Sequence, residues 1–209
     1  MLNYSMSTAI STTNLPTLDD SGLDLLFRKG RTSNSFSTEP VSVETLKEIY
    51  EVAKFGPTQA NSQPWHLVFL TSDEAKARLL PHMGEGNRAK TGTAPVVAIV
   101  AADGDFNENM PEVFPHAPDA KHWFGDLDNR HDVARFNVGL QAGYLITTIR
   151  AFGLAAGPMT GYDADGINNE FFAGTNRRVQ VVINIGHPGE NPWFDRLPRR
   201  AFDDAAEVL

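Results

Sequence analysis

The chain has 209 residues, 26 acidic against 18 basic side chains, a formal net charge of -8 and no cysteine. A single domain of that length buries roughly 70% of its unfolded surface, so it needs neither disulfides nor a structural metal. The missing cysteines exclude thiol catalysis, cysteine-ligated zinc, iron–sulfur clusters and haem thiolate ligation together, and the acidic balance argues against nucleic acid or an anionic membrane as a partner.

Residues 1–20 are rich in Ser, Thr and Asn without periodicity and predict a flexible leader, with Met6 as an alternative start. Residues 1–13 hold no Lys or Arg and no apolar run, so they do not read as a secretory signal. The longest apolar run, 94–102, is too short to span a bilayer. A cytoplasmic address follows by default. The single domain is expected over 21–209. It begins with a short amphipathic piece, Leu23 to Phe27, that runs into the basic stretch Arg28, Lys29, Arg31.

Ser42 reads as the N-cap of a helix carrying Val43, Leu46, Ile49, Tyr50 and Ala53 at helical spacing, stopped by Gly56 and Pro57. A turn-rich loop over 57–64 leads into a strand over 65–71. Ser72 or Asp73 caps a helix to about Leu80, and a Gly-rich connection follows. The continuously apolar 95–102 predicts a central strand buried on both faces. Residues 103–130 lack any period and predict a lid or binding loop, or short helices. The longest helix is expected over 132–152, closed by Gly153 and apolar on more than one face, which places it in a core or a subunit interface. The segment 157–161 reads as a second turn-rich loop, 166–172 as a short helix and 179–185 as another central strand. Helices and strands mix without strict alternation, so the class is α+β with one sheet covered by helices.

Common catalytic signatures are missing. Gly84 and Gly86 begin a dinucleotide fingerprint that lacks its third glycine and its preceding strand. No Walker lysine, no nucleophile elbow and no zinc-binding histidine pair is present. Asp103, Asp105 and Asn107 open a calcium loop that Glu108 and Phe114 fail to complete, so no metal is expected. Arginines cluster near both ends of this acidic chain, at Arg28 and Arg31 and at Arg196, Arg199 and Arg200. Their planar forks match phosphate, although from composition alone two solvated surface patches are the favoured reading.

The run Pro57-Thr58-Gln59-Ala60-Asn61-Ser62-Gln63-Pro64-Trp65 resembles the Pro-Ser-x-x-Asn-x-Gln-Pro-Trp segment of the nitroreductase superfamily of flavin mononucleotide (FMN) enzymes. Four further segments are similar in order and spacing: Arg31-Thr32-Ser33-Asn34, the long helix followed by Gly157-Pro158-Met159-Thr160-Gly161, the strand ending at Gly186, and Leu197-Pro198-Arg199-Arg200. The resemblance implies a mainly antiparallel sheet flanked by helices, an intertwined homodimer with FMN at its interface, and NADPH or NADH as electron donor in ping-pong hydride transfer. It assigns the cofactor to Arg31, Thr32, Ser33, Asn34, Pro57, Thr58, Gln59, Asn61, Pro158, Met159, Thr160, Gly161, Arg199 and Arg200. Phe114-Pro115-His116 and Trp123-Phe124 further resemble the malonic semialdehyde reductase branch, linked to pyrimidine catabolism. They imply a substrate wall of Phe114, His116, Trp123 and Phe124 and reduction of a small semialdehyde to 3-hydroxypropionate; an aldehyde acceptor also needs a proton, for which His116 and Tyr162 are candidates, although bulk water suffices. A broad nitroarene or quinone reductase, or a non-catalytic flavin binder, are the alternatives. Many relatives carry Lys or Arg near flavin N1 and C2=O, where this register puts Asn34, and that neutral residue predicts a more strongly reducing flavin.

Overall fold

The computed structural model of the protein describes residues 15–209; most of the expected leader, Met6 included, lies outside the described residues. The chain divides into two compact units, one ending at Gly30 and one spanning Arg31–Leu209. In the first, Asp19 caps helix α1 (Asp20–Leu23) by accepting from the Gly22 amide at 2.8 Å. One wider turn, Asp24–Arg28, continues it. Arg28 pairs there with Asp20 at 2.9 Å, and Lys29 with Asp24 at 2.7 Å. Of the basic stretch, only Arg31 belongs to the larger unit.

The larger unit runs in the order α2 (Val43–Ala53), β1 (Trp65–Leu70), α3 (Asp73–Leu79), α4 (Glu85–Thr93), β2 (Val96–Asp103), α5 (Met110–Val113), α6 (Leu127–Ala151), β3 (Ala155–Met159), α7 (Ala164–Phe171), β4 (Arg177–Gly186) and α8 (Phe202–Ala205). Among the described residues the four strands form one sheet in the order β1-β2-β4-β3, and every pairing is antiparallel. This is the α+β arrangement that the mixed elements predict. β2 is buried along 96–102, as its unbroken apolar run requires. Ala98, Val100 and Ala102 pack with Leu46 and Ile49 of α2 and with Val138, Leu145 and Ile149 of α6. Val97 and Ile99 pack on the other face with Leu79 of α3 and Ile167 of α7. In β4 the register slips between the pairs Val100↔Val181 and Ala101↔Val179. The extra residue, Gln180, turns Val179 onto the same face as Val182.

Local chemistry sets the boundaries. Ser42 caps α2 through the Thr45 amide at 3.0 Å, and Ser72 caps α3 through the Ala75 amide at 3.2 Å. Helix α6 ends where Gly153 takes φ +75°, with its amide on the Arg150 carbonyl at 2.9 Å and the Leu154 amide on the Ile149 carbonyl at 3.1 Å. This double closure demands a left-handed residue after the helix.

Three expectations are corrected. Helix α6 starts at Leu127 rather than 132, because Asp126 is the cap and accepts from the Asn129 amide at 3.0 Å. The polar first turn hid it: Asn129 bonds the Phe124 carbonyl at 2.7 Å and Arg130 the Gly104 carbonyl at 2.8 Å. The Gly-rich connection is the helix α4. Residues 157–159 are a strand: β3 is an edge strand, where the missing N–H of Pro158 is tolerated. Of the two readings of 103–130, the short helices hold: the region carries Phe106–Asn109, α5 and Pro118–His122. Phe106, Met110, Ala120 and Phe124 anchor them in the core, so the region is not a loose lid.

Candidate functional site

Segment 31–36 lies along β3. Thr32 bridges Ala156 in parallel, and the Ser33 amide donates to the Ala156 carbonyl at 3.1 Å. Gly157 permits that approach, since a Cβ on it would stand 2.8 Å from the Ser33 carbonyl oxygen. Ser33 itself is buried, with its hydroxyl donating to the Ser35 carbonyl at 2.7 Å. The same segment fastens the start of the tail. The Asn34 amide donates to the Pro192 carbonyl at 2.9 Å, the Ser35 hydroxyl to the Glu190 carbonyl at 2.6 Å, and the Arg31 guanidinium to the Phe194 carbonyl.

Helix α4 completes this corner. The Gly161 carbonyl accepts from the Gly84 amide and from the Asn87 side-chain amide, each at 3.0 Å. Lys90 Nζ lies 3.3 Å from Asn34 Oδ1. A cavity of about 440 Å³ opens here, lined by Asn34, Gly86, Ala89, Lys90, Thr93 and Phe194. Sequence reasoning missed both Asn87 and Lys90, because α4 has no apolar period and two internal glycines. Lys90 thus sets a basic side chain beside Asn34, the residue read from the sequence as a neutral neighbour of the flavin. Met159 is buried, with its sulfur 3.9 Å from the Thr91 hydroxyl, while Thr160 and Gly161 are exposed just beyond β3. Tyr162 pairs with Met83 across an isolated bridge. Burial pushes its phenol up to about 12, so it keeps its proton and is a weak acid for transfer to a substrate.

The 57–63 loop is held elsewhere. The Gln59 amide donates to Asn137 Oδ1 at 2.7 Å, the Gln63 amide to the Thr58 hydroxyl at 3.1 Å and the Trp65 amide to Gln141 Oε1 at 3.2 Å. Asn137 and Gln141 are fully buried on α6. They hold a loop in which Ala60, Asn61 and Gln63 all take left-handed φ of 44–52°. Such positions cost about 1–3 kcal/mol each and cluster at functional sites. The Asn61 amide group donates to the Val113 carbonyl at 2.8 Å, which leaves its second N–H and Oδ1 for other partners; Pro57 is exposed at the loop's start. This loop precedes β1 and segment 157–161 ends β3, which are the opposite edges of the sheet. Three strand spacings, about 14 Å, separate those edges.

Phe114 meets His116 at 3.9 Å between ring centroids and Trp123 edge-on at 5.9 Å. His116 and Trp123 are exposed, and this cluster follows α5, next to the loop that Asn61 anchors. Phe124 is not part of it: 3% exposed, it packs edge-on against Phe106 in the core. Arg199 and Arg200 are exposed in the tail, and among the described residues Arg199 donates to the nearby Leu197 and Pro198 carbonyls, at 3.0 and 3.2 Å. Nothing among the described residues joins them to Arg31. Among the described residues, no three His, Asp or Glu side chains are grouped to hold a metal ion, and no helix is long and apolar enough to cross a membrane.

The model of the nitroreductase family matches residues 28–187. A Streptomyces griseus protein provisionally named NADH dehydrogenase/NAD(P)H nitroreductase is 50% identical over 193 residues, covering 92% of this chain and 98% of its own. A similarly named protein of Stenotrophomonas maltophilia is 48% identical over 192 residues, covering 91% and 97%. The solved structure of a nitroreductase-like protein from Exiguobacterium sibiricum, in complex with FMN, superposes with a TM-score of 0.80 at 21% identity, covering 94% of this chain and all of its own.

Proposed function

Because this chain belongs to the nitroreductase family, we propose that it is an FMN-dependent NAD(P)H oxidoreductase that reduces a small organic acceptor in the cytoplasm. The observation that carries this reading is the corner where segment 31–36, the end of β3 and α4 meet around a 440 Å³ cavity, a volume suited to a small-molecule cofactor. Its donors fit FMN: the Arg31 guanidinium for a phosphate, the Asn34 and Asn87 amides and the Lys90 ammonium for polar ring atoms, and exposed backbone at Thr160 and Gly161 beside them. When bound, the flavin accepts hydride from the nicotinamide and passes it to the acceptor. The protein's own share is position and electrostatics.

Lys90 supplies the charge that stabilises electron density gained by the ring, and Asn34 holds it in place through the 3.3 Å contact. Lys90→Gln should therefore lower the flavin midpoint potential. Potentiometric titration reads this directly, and an unmoved or raised potential would remove Lys90 from the ring. Arg199 is proposed as a further phosphate donor, with Arg200 its alternate. Arg199→Ala should weaken FMN binding roughly tenfold, as loss of a charge-assisted hydrogen bond implies. The exposed Arg135, 4.0 Å from Asp132, is the control and should be near neutral. Equal dissociation constants for the two variants would separate the tail from the cofactor.

The site residues before β1 and after β3 stand on opposite edges of one sheet, so a ring touched by both draws them from two chains. Helix α6 supports this with the exposed stripe Phe136, Leu140 and Tyr144, 67%, 41% and 46% accessible and four residues apart. We therefore include an intertwined homodimer with FMN at its interface in the proposal. Sedimentation equilibrium should return the dimer mass for the FMN-loaded protein, and a monomer with full occupancy would overturn it.

For the acceptor, the exposed cluster Phe114, His116 and Trp123 next to the Asn61 loop supports a small semialdehyde, malonic semialdehyde by motif. Its carbonyl carbon takes the hydride and its oxygen a proton from His116 or water, giving 3-hydroxypropionate. Steady-state kinetics on semialdehydes, quinones and nitroarenes test this. Saturation by the semialdehyde alone supports it, whereas turnover confined to nitroarenes and quinones returns the broad-specificity reading.

A further inference from the structure

A second cavity of about 240 Å³ lies where β4 begins, bounded by the first turns of α6, the end of α7 and the loop between α7 and β4. Although the whole chain carries a net charge of -8, no acidic side chain lines this cavity. Its polar lining includes His131, Asn168, Thr175, Arg177 and Arg178. His131 is only 7% exposed, and its buried Nδ1 has no hydrogen-bond partner. Buried polar atoms are nearly always paired, and the ring that carries this one lines the cavity. Asn168 accepts the Val179 amide through Oδ1 at 2.8 Å, which leaves its NH2 group as a spare donor. Arg177 is engaged by Asp103 at 2.9 Å, while the exposed Arg178 makes no ion pair among the described residues.

We propose that this cavity binds a small free oxyanion of the phosphate class, held by Arg178, Asn168 and His131. These groups come from three different elements, His131 from α6, Asn168 from α7 and Arg178 from β4. The guanidinium fork and the amide both match oxyanion geometry. The volume lies below the roughly 300–1,000 Å³ of cofactor-sized pockets, which favours the free anion over a nucleotide. Burial and then the neighbouring Arg178 hold the His131 imidazolium below its usual range, with Arg130 adding to this and Asp128 and Asp105 opposing it. A bound dianion counters Arg178, so occupancy should raise the His131 pKa.

The test is a titration of the FMN-loaded protein with inorganic phosphate at low ionic strength, followed by the His131 ring-proton resonances. Loading with flavin keeps the flavin phosphate site filled, and flavin absorbance reports that independently. Saturable binding is expected, with His131 titrating at higher pH in its presence. Arg178→Gln should weaken binding roughly tenfold or more. Asn168→Asp keeps the acceptor for the Val179 amide but places a negative charge on the wall, and should abolish phosphate binding while the fold persists. A response that does not saturate, dissociation constants unchanged in both variants, or acetate binding as tightly as phosphate would each overturn the proposal.

Discussion

Leu145→Ala should lower the stability of the protein by about 2–5 kcal/mol, the range for truncating a fully buried leucine. Leu145 is fully buried on α6, in the layer that joins Ile49 of α2 to Val100 of β2 and Ile183 of β4. The truncation therefore leaves a void between three elements, none of which can collapse into it alone. A chain of this size loses about 2–4 °C in Tm per kcal/mol, so thermal unfolding followed by circular dichroism should show a clear shift. A change below about 1 kcal/mol, typical of a surface position, would mean that this face of α6 is not the packed one.

Asn137→Ala should be nearly as costly and should also reach the cofactor. Asn137 is fully buried, and its Oδ1 accepts the Gln59 amide at 2.7 Å while its amide group donates to the Val133 carbonyl at 2.9 Å. Truncation orphans the Gln59 amide, at about 1–3 kcal/mol, and opens a small void in the core. The three left-handed residues of the same loop persist only while their surroundings over-determine them, and Asn137 is one of the few fixed points. FMN affinity should fall at least tenfold, by the exponential relation of free energy to affinity, and cleavage within 57–63 should accelerate under limited proteolysis. Unchanged affinity together with an unchanged cleavage rate would show that the loop is shaped without Asn137.

Elements with a strong local period were legible in the sequence. Ser42 and the spacing of Leu46, Ile49 and Ala53 define α2, the unbroken apolar run defines β2, and Gly153 marks the end of α6. Elements held by tertiary contacts were not. The α4 sequence, with Gly86, Asn87 and Gly92, has poor helix propensity; the helix is tied down by the Gly161 carbonyl and by Arg88, which bonds the Leu80 carbonyl at 3.1 Å. β3 contains a glycine and a proline that read as a turn until β4 is there to pair with them. The same division runs through the candidate site. Segments 31–34, 57–61 and 157–161 announce themselves by motif, whereas Lys90 and Asn87 come from a helix with no signal of its own. Asn137 and Gln141 carry no such signal either, yet the structure buries both.

The sheet order also bears on how the chain can acquire its structure during synthesis. β2 pairs on one side with β1, which precedes it closely, but on the other with β4, some eighty residues later in sequence. Among the described residues β4 is the one strand that pairs with β3, beyond the single bridge from Thr32. Until 177–186 has left the ribosome, β2 therefore carries a bare hydrogen-bonding edge alongside its apolar side chains, and β3 remains unpaired in the sheet. An unpaired apolar edge is a template for intermolecular association, and pairings this distant in sequence form slowly. The interval between emergence of α6 and emergence of β4 is the period in which a nascent chain most needs shielding from its neighbours.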